Sequence, residues 1–184
     1  MDDTDIEELE GLEGLEGLEG LVNQYGAGLY RFCCRLTQNK TTADDLYQDT
    51  FVKIASNIAK IDRNKNPQSF LFSTSIFIWK SNCRTYGRRQ RIAPVADMAE
   101  AELQPDGFRI EAAYIKQEQT LFIRQEISAM DDKFKIPLYL FYTAELSIND
   151  IAQIMKIPTG TVKSRLNKAR SILKKRLEAE GYEA

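Results

Sequence analysis

The stretch from Ile151 to Leu177 has the composition of a phosphate-binding surface. It carries eight lysines and arginines and no acidic residue. Like charges that share a helix repel one another, and a polyanion relieves that repulsion while releasing its own counterions. The residue types therefore predict a nucleic-acid contact rather than an ordinary solvated face. The bases are Lys156, Lys163, Arg165, Lys168, Arg170, Lys174, Lys175 and Arg176.

A second acid-free stretch lies between Asp62 and Asp97 and combines seven bases with aromatic residues. Unstacked nucleobases bind on aromatic faces beside a groove that follows the phosphates, so this combination is typical of a single-strand site. The competing interpretation is a hydrophobic core, which we expect for Phe70 and Phe72 because they flank Leu71. The bases are Arg63, Lys65, Lys80, Arg84, Arg88, Arg89 and Arg91, and the other aromatic residues are Phe77, Trp79 and Tyr86.

An acidic cluster interrupts the basic body of the chain at Asp44, Asp45, Gln48 and Asp49. At these spacings the four residues share one side of a helix. Compensation of the positive helix N-terminus explains the first two acids but does not require Gln48 or Asp49. The alternative is a docking surface for a basic protein partner.

The composition argues against catalysis and against a bound cofactor. The chain has no histidine, which removes the commonest general base and the commonest metal ligand. Its three cysteines have neither a CxxC spacing nor a disulfide pattern, so we expect reduced, buried thiols. We therefore predict a protein that is not an enzyme and holds no metal or cofactor. The acidic N-terminus and short apolar runs further predict a cytoplasmic protein without membrane insertion.

The elements that must position these residues all have helical periodicity. No run alternates as a strand does, so the sequence predicts an all-α protein with two small helical domains joined by a short linker. Asn66 and Pro67 are typical of a helix start, and Thr41 and Thr42 resemble capping boxes at the start of the preceding helix. We assign residues 1–21 to an acidic leader, 22–92 to the first domain, 93–110 to the linker and 111–184 to the second domain.

The leader repeats Leu-Glu-Gly four times between Leu9 and Leu21. A period of three matches neither helix nor strand, and each glycine costs a helix about 1 kcal/mol relative to alanine, so we expect no stable element here. The first 26 residues hold nine acids and no base, which leaves residues 27–184 with a net charge of +7. This composition favours a mobile acidic leader; the alternative is that the leader screens the basic surface when no nucleic acid is bound.

The second domain ends in the pattern of a helix-turn-helix. Ser147 and Asp150 form a capping box, residues 156–158 make a tight turn, and a last helix follows from Thr159 to about Glu178. In that helix the spacing of 4, 3, 4 and 4 directs one stripe toward the core, and the N-terminal half of the opposite face is free to enter the major groove. The stripe consists of Val162, Leu166, Ala169, Leu173 and Leu177.

Together these motifs resemble a bacterial sigma factor of the sigma-70 type, in its extracytoplasmic-function branch. The resemblance rests on the segment 44–51 (DDLYQDTF), on Ser69-Phe70-Leu71-Phe72, on Arg88-Arg89, and on Ile151-Ala152 followed by the segment 160–166 (GTVKSRL). It covers about residues 25–177. The short linker fits as well, because that branch keeps only the second and fourth conserved regions.

The resemblance implies partners and residue roles. Core RNA polymerase would be contacted at its β′ clamp and β flap, promoter DNA would be bound at the −10 and −35 elements, and an anti-sigma factor would cover both surfaces until a signal releases it. The residues implied for the polymerase core are Asp44, Asp45, Leu46, Gln48 and Asp49. Those implied for the −10 element are Ser75, Phe77, Trp79, Lys80, Arg84, Arg88 and Arg89. Those implied for the −35 element are Lys163, Ser164, Asn167 and Lys168, with Thr161, Arg165 and Arg170 on phosphates.

The sequence departs from the family pattern in the −10 region, where Phe70, Phe77 and Ser81 replace the usual Trp, Asn and Asp. We therefore expect a different −10 base preference. The alternative function is an autonomous helix-turn-helix repressor or activator that binds a palindromic operator as a dimer. It is disfavoured because no heptad seam for dimerisation is visible.

Overall fold

The structure is a computed structural model, and it describes residues 3–56, 66–92 and 112–182, with the side chains of 17–56, 66–86 and 118–182. The described residues form seven helices and no strand, which confirms the all-α prediction. The chain divides into two compact units, residues 1–102 and 103–184, and the division falls in the stretch that we assign to the linker. None of the helices in the described ranges is long and apolar enough to cross a bilayer.

The described residues of the first unit form three helices: α1 (Asp3–Thr37), α2 (Lys40–Ala55) and α3 (Pro67–Ile92). The prediction of no stable element in the leader is wrong, because α1 begins at Asp3 and runs through the Leu-Glu-Gly tract. Two of every three residues in that tract are Leu and Glu, which rank among the better helix formers. The tract also extends a helix that is already formed, so it bears no nucleation cost of its own.

The starts of α2 and α3 test the predicted caps. Helix α2 begins two to three residues earlier than the threonine capping boxes predict, because Asn39 is the N-cap and its Oδ1 accepts the backbone N–H of Thr42 at 3.0 Å. The prediction for α3 is confirmed: Asn66 Oδ1 accepts the backbone N–H of Ser69 at 3.2 Å, and Pro67 is the first helical residue.

The core of the first unit forms where the apolar stripes of its helices meet. The rings of Phe32 and Phe72 pack edge to face with centroids 5.4 Å apart. Helix α1 also approaches α2 closely at Gly26, which is buried and faces the ring of Tyr47. The buried apolar residues of this core are Leu29, Phe32, Cys33, Leu36, Ala43, Leu46, Phe51, Ile54, Leu71, Phe72 and Ile76.

The second unit contains α4 (Ala112–Ala129), α5 (Asp132–Tyr142), α6 (Ile148–Met155) and α7 (Thr159–Ala179). The predicted cap of α6 is confirmed, since Ser147 Oγ accepts the backbone N–H of Asp150 at 3.1 Å. Lys156 is the C-cap of α6 and has the left-handed conformation (φ 53°, ψ 47°), which ends the helix and turns the backbone toward the start of α7.

The predicted stripe of α7 packs toward the rest of the second unit. Val162, Leu166 and Ala169 are fully or almost fully buried, and Leu173 and Leu177 are half-buried. Burial therefore deepens toward the N-terminal half of α7, and both α5 and α6 pack against this helix. This packing fixes which side chains of that half face solvent.

Candidate nucleic-acid interface and docking surface

The N-terminal half of α7 presents a polar and basic face to solvent. Lys163, Ser164, Asn167 and Lys168 are exposed, whereas Thr161 and Arg165 are half-buried at the edges of that face. The hydroxyl of Ser164 donates to the backbone oxygen of Thr161 at 2.9 Å, so its lone pairs remain available to a donor. The face therefore offers charged and amide groups of the kind that contact phosphates and base edges.

Arg170 lies on the same helix but is held by neighbouring side chains. Its Nε donates to the hydroxyl of Tyr142 at 2.9 Å, and its Nη1 donates to Oδ1 of Asn167 at 3.4 Å. The guanidinium carbon also lies 5.7 Å from the ring centroid of Tyr142 and 5.8 Å from that of Phe141. Sequence reasoning missed Tyr142, because it ends a different helix and lies 28 residues from Arg170 along the chain.

The exposed part of α3 combines aromatic and basic side chains. Phe77 is 62% exposed, and Lys80 and Arg84, three and seven residues further on, continue the same side of the helix toward its C-terminus. Trp79 is half-buried. This surface can stack a base and neutralise a phosphate side by side.

Two expectations for α3 are wrong and one is confirmed. Phe72 is buried as expected of a core residue, but Phe70 is 39% exposed. Ser75 is fully buried and its hydroxyl donates to the backbone oxygen of Phe72 at 3.1 Å, so it cannot contact DNA directly. The reason is helical geometry, since Ser75 lies four residues after the buried Leu71 and faces the same side. The side chains of Arg88 and Arg89 lie outside the described residues.

The acidic cluster lies on α2, and only part of it is available to a partner. Asp45, Gln48 and Asp49 are exposed, whereas Asp44 is half-buried and accepts the hydroxyl proton of Tyr30 at 2.8 Å. Leu46 is only 2% exposed, so its assignment as a contact residue is wrong; it supports the cluster from the core.

An apolar residue that sequence reasoning missed extends this surface. Val52 is 66% exposed and lies seven residues after Asp45 and three after Asp49, on the same side of α2. The exposed side of α2 therefore combines carboxylates with one apolar side chain. Val52 follows Phe51 in the sequence but lies outside the helical spacing of the residues that α2 buries, so the spacing itself separates it from the core.

Comparison with known proteins identifies the two units. Residues 21–89 match the family described as Sigma-70 region 2, and residues 127–175 match Sigma-70, region 4. The chain belongs to the sigma-70 family, in its extracytoplasmic-function branch. Regions 2 and 4 of sigma factors bind core RNA polymerase and promoter DNA, so this sigma factor directs transcription initiation; sigma factors as a family are not enzymes.

Curated relatives of this sigma factor match most of its length. The ECF RNA polymerase sigma factor SigW of Bacillus subtilis is 28% identical over 162 residues, which cover 85% of this chain and 87% of SigW. The ECF RNA polymerase sigma factor EcfG of Rhodopseudomonas palustris is 29% identical over 158 residues, which cover 84% of this chain and 82% of EcfG.

Solved structures share the fold of this sigma factor. The sigma factor RpoE from Bartonella quintana, crystallised with the anti-sigma factor NepR, superposes with a TM-score of 0.71 at 21% identity and covers 87% of this chain and 95% of RpoE. CnrH, in complex with the cytosolic domain of CnrY, gives a TM-score of 0.65 at 18% identity, with 92% and 95% of the two chains covered.

The electrostatics of region 2 keep its interior neutral. The pKa of Tyr30 is raised well above its ordinary value, chiefly by the hydrogen bond from its hydroxyl to Asp44 and secondly by burial. Burial raises the pKa of the Cys33 thiol to about 12 and also raises the pKa of Tyr47. Within the described residues, no three acidic or cysteine side chains cluster closely enough to bind a metal ion. The exposed charged residues among the predicted contacts lie on α2, α3 and α7.

Proposed function

We propose that this sigma factor uses three separate surfaces in initiation: α2 docks on the polymerase core, α3 binds the opened −10 element, and α7 reads the −35 element. The single observation that carries the proposal is the separation of charge among exposed faces. Asp45 and Asp49 are exposed on one side of α2, while every exposed charged residue described on α3 and in the N-terminal half of α7 is basic. A basic protein partner and a polyanion therefore bind different helices.

The docking step rests on the exposed side of α2. Asp45 and Asp49 are four residues apart, so their carboxylates lie one turn apart, with Gln48 beside them. We propose that basic residues of the β′ clamp helices contact these groups and that Val52 packs at the edge of the contact. A β-flap contact from region 4 would hold the second unit on the enzyme.

The −10 step rests on the exposed aromatic and basic side chains of α3. A base that leaves the duplex loses a few kcal/mol of pairing and stacking, and stacking on an aromatic ring returns about 1 to 3 kcal/mol. Phe77 offers the most exposed ring of α3 among the described residues. Lys80 and Arg84 lie on the same side of the helix and would neutralise the strand's phosphates. No bond is made or broken in this step, so catalysis belongs to the polymerase.

The −35 step rests on the solvent face of α7. Lys163, Ser164, Asn167 and Lys168 would contact base edges in the major groove, and Thr161, Arg165 and Arg170 would hold phosphates.

We place this sigma factor in the cytoplasm, because that is where it would meet both the polymerase and the promoter DNA of a bacterium.

We further propose that an anti-sigma factor restrains the protein. RpoE and CnrH, which share its fold, were each solved in complex with a partner, and for RpoE that partner is an anti-sigma factor. The exposed rings and bases of α3 and the basic face of α7 would be its targets. A protein that co-purifies from the host and suppresses run-off transcription when added back is the expected inhibitor. Full transcription in the presence of every co-purifying protein would contradict restraint.

The deciding experiment is run-off transcription with core polymerase on genomic fragments, with and without this protein. We expect new start sites that depend on the protein. Asp45→Arg combined with Asp49→Arg should abolish binding to the core, because both attractive contacts become repulsive. The matched control is Glu118→Arg with Glu180→Arg, which changes the net charge equally at exposed positions outside the three surfaces.

The control pair should bind core like the parent protein, and circular dichroism should show unchanged helicity in both variants. Unchanged core affinity of the Asp45 and Asp49 variant would remove the docking claim. Tight binding of a promoter fragment by the protein alone, with no effect on transcription by the core enzyme, would instead support an autonomous operator-binding regulator.

A further inference from the structure

A chain of polar contacts links the end of α5 to the solvent face of α7. The Tyr142 hydroxyl accepts from Arg170 Nε at 2.9 Å, and Arg170 Nη1 donates to Asn167 Oδ1 at 3.4 Å. The Arg170 guanidinium also lies within 6 Å of the ring centroids of Phe141 and Tyr142, at 5.8 and 5.7 Å. These contacts fix the guanidinium in position and direction, because its planar fork must satisfy both hydrogen bonds at once.

We propose that Tyr142 is a positioning residue for −35 recognition, which acts through Arg170 to fix the orientation of the Asn167 side-chain amide. The inference rests on the proposed function, since it assumes that the face of α7 bearing Asn167 meets the base edges. Tyr142 need not touch DNA itself.

The orientation of the amide follows from donor and acceptor chemistry. A guanidinium has only N–H donors, so the group of Asn167 that faces Arg170 must be the carbonyl oxygen. The amide NH2 group then points away from Arg170 and is left to donate. Asparagine reads adenine through both groups together, because Oδ1 accepts from N6 and Nδ2 donates to N7. Oδ1 keeps a second lone pair, but bidentate contact needs both groups aimed at one base edge, so an oxygen turned toward Arg170 disfavours that mode.

The predicted preference at the base pair facing Asn167 is therefore for an acceptor in the major groove. Guanine offers two acceptors, O6 and N7, and thymine offers O4, whereas adenine offers N7 beside an N6 amino donor that opposes the amide NH2 group. Tyr142 thus contributes to specificity from outside the recognition helix.

The three side chains that form these hydrogen bonds are all exposed in the free protein. Tyr142 is 59% exposed, and Arg170 and Asn167 are exposed as well. Water competes for exposed hydrogen bonds and weakens their net contribution. Docked DNA would displace that water, so the contacts should constrain the amide most strongly in the complex, where base discrimination is decided.

The test measures run-off transcription by the holoenzyme on promoters that carry each of the four bases at every −35 position. Asn167→Ala first identifies the position that Asn167 reads, by a loss of discrimination of about 5- to 100-fold at that position. Tyr142→Phe removes only the hydroxyl and keeps the ring. It should weaken discrimination at the same position by about 2- to 10-fold and shift the preference toward adenine, because the released amide can turn.

Two controls separate positioning from a structural effect. Tyr182→Phe removes a hydroxyl from another tyrosine of the same unit, whose ring packs near Phe122 with centroids 5.8 Å apart, and should leave every base preference unchanged. In the Asn167→Ala background, Tyr142→Phe should have no further effect on base preference. A merely structural role would instead lower transcription from all promoters in both backgrounds.

Each contrary result has a distinct meaning. If the parent protein prefers adenine at the position identified by Asn167→Ala, or if Tyr142→Phe leaves the preference there unchanged, the positioning role is overturned while −35 reading by α7 stands. If Asn167→Ala changes discrimination at no position, Asn167 reads no base, and both its assigned −35 role and the inference fail. Loss of −35 dependence for the parent protein itself would overturn the proposed function of α7.

Discussion

Alanine at position 26 tests how closely α1 and α2 pack. A Cβ atom added to Gly26 would lie 2.8 Å from the Tyr47 hydroxyl oxygen, whereas ordinary contact begins at 3.4 Å, so that oxygen must retreat by about 0.6 Å. The ring of Tyr47 has little freedom to do so. It packs edge to face on Tyr30 and Phe51, with centroids 5.5 and 5.0 Å apart.

The expected magnitude combines two opposing terms. Replacing glycine by alanine inside a helix stabilises it by about 1 kcal/mol, and overpacking a well-packed contact costs about 1 to 3 kcal/mol. Gly26→Ala should therefore lower the free energy of unfolding by up to about 2 kcal/mol. Gly28→Ala is the matched control, because nothing lies within 4 Å of its added Cβ, and it should raise that free energy by up to about 1 kcal/mol.

The assay is urea denaturation of the full chain followed by tryptophan fluorescence. Trp79 is the single tryptophan and lies on α3, so its signal reports on the first unit. Combining Gly26→Ala with Tyr47→Phe removes the clashing oxygen, and the next ring atom, Tyr47 Cζ, lies at an ordinary 3.9 Å. In that background the alanine should stabilise rather than destabilise. Equal effects of Gly26→Ala and Gly28→Ala, or destabilisation that persists without the hydroxyl, would refute the reasoning.

Two further predictions concern α3 and the buried thiol. Phe77→Ala should reduce open-complex formation by about 5- to 100-fold if one base stacks on its ring, whereas Leu121→Ala, an exposed apolar control on α4, should leave it unchanged. Permanganate footprinting measures the open complex. An unchanged footprint for Phe77→Ala would remove Phe77 from the −10 contact. The expectation of buried thiols holds for Cys33 but is wrong for Cys83, which is exposed, while Cys34 is half-buried. Alkylation followed by mass spectrometry at pH 8 should modify Cys83 well before Cys33, because burial raises the pKa of the Cys33 thiol to about 12. Equal rates would contradict that burial. Because the pKa of the folded Cys33 thiol exceeds its ordinary value near 9, its contribution to stability is complete below pH 9 and is lost as the pH rises toward 12.

The sequence predicts the helix-turn-helix well because its determinants are local. Ser147 and Asp150 are three residues apart, and the stripe that buries Val162, Leu166 and Ala169 lies within one helix. Local spacing specifies both the cap and the buried side of a helix. The charge pattern is local as well, and it therefore predicts the exposed bases of α7.

The errors arise where a residue's role depends on its rotation about a helix axis or on a neighbouring helix. Each helical residue turns the side chain by about 100°, so Leu46 enters the core although Asp45 beside it faces solvent. Phe70 shows the converse, because its neighbours Leu71 and Phe72 are buried while it is partly exposed. The hydroxyl of Tyr142 that holds Arg170 comes from α5, and no periodicity within α7 can predict it.

Tyr30 shows why the docking surface and the core of region 2 cannot be altered independently at every position. Its hydroxyl donates to Asp44 across the α1–α2 contact, and its ring packs edge to face on Tyr47, the residue that Gly26 approaches. A change at Asp44 would therefore disturb helix packing as well as the acidic surface. Asp45 and Asp49 are exposed, so their substitution changes the charge offered to the polymerase while the α1–α2 contact stays intact. Loss of core binding in that variant then reports on docking rather than on the stability of the domain.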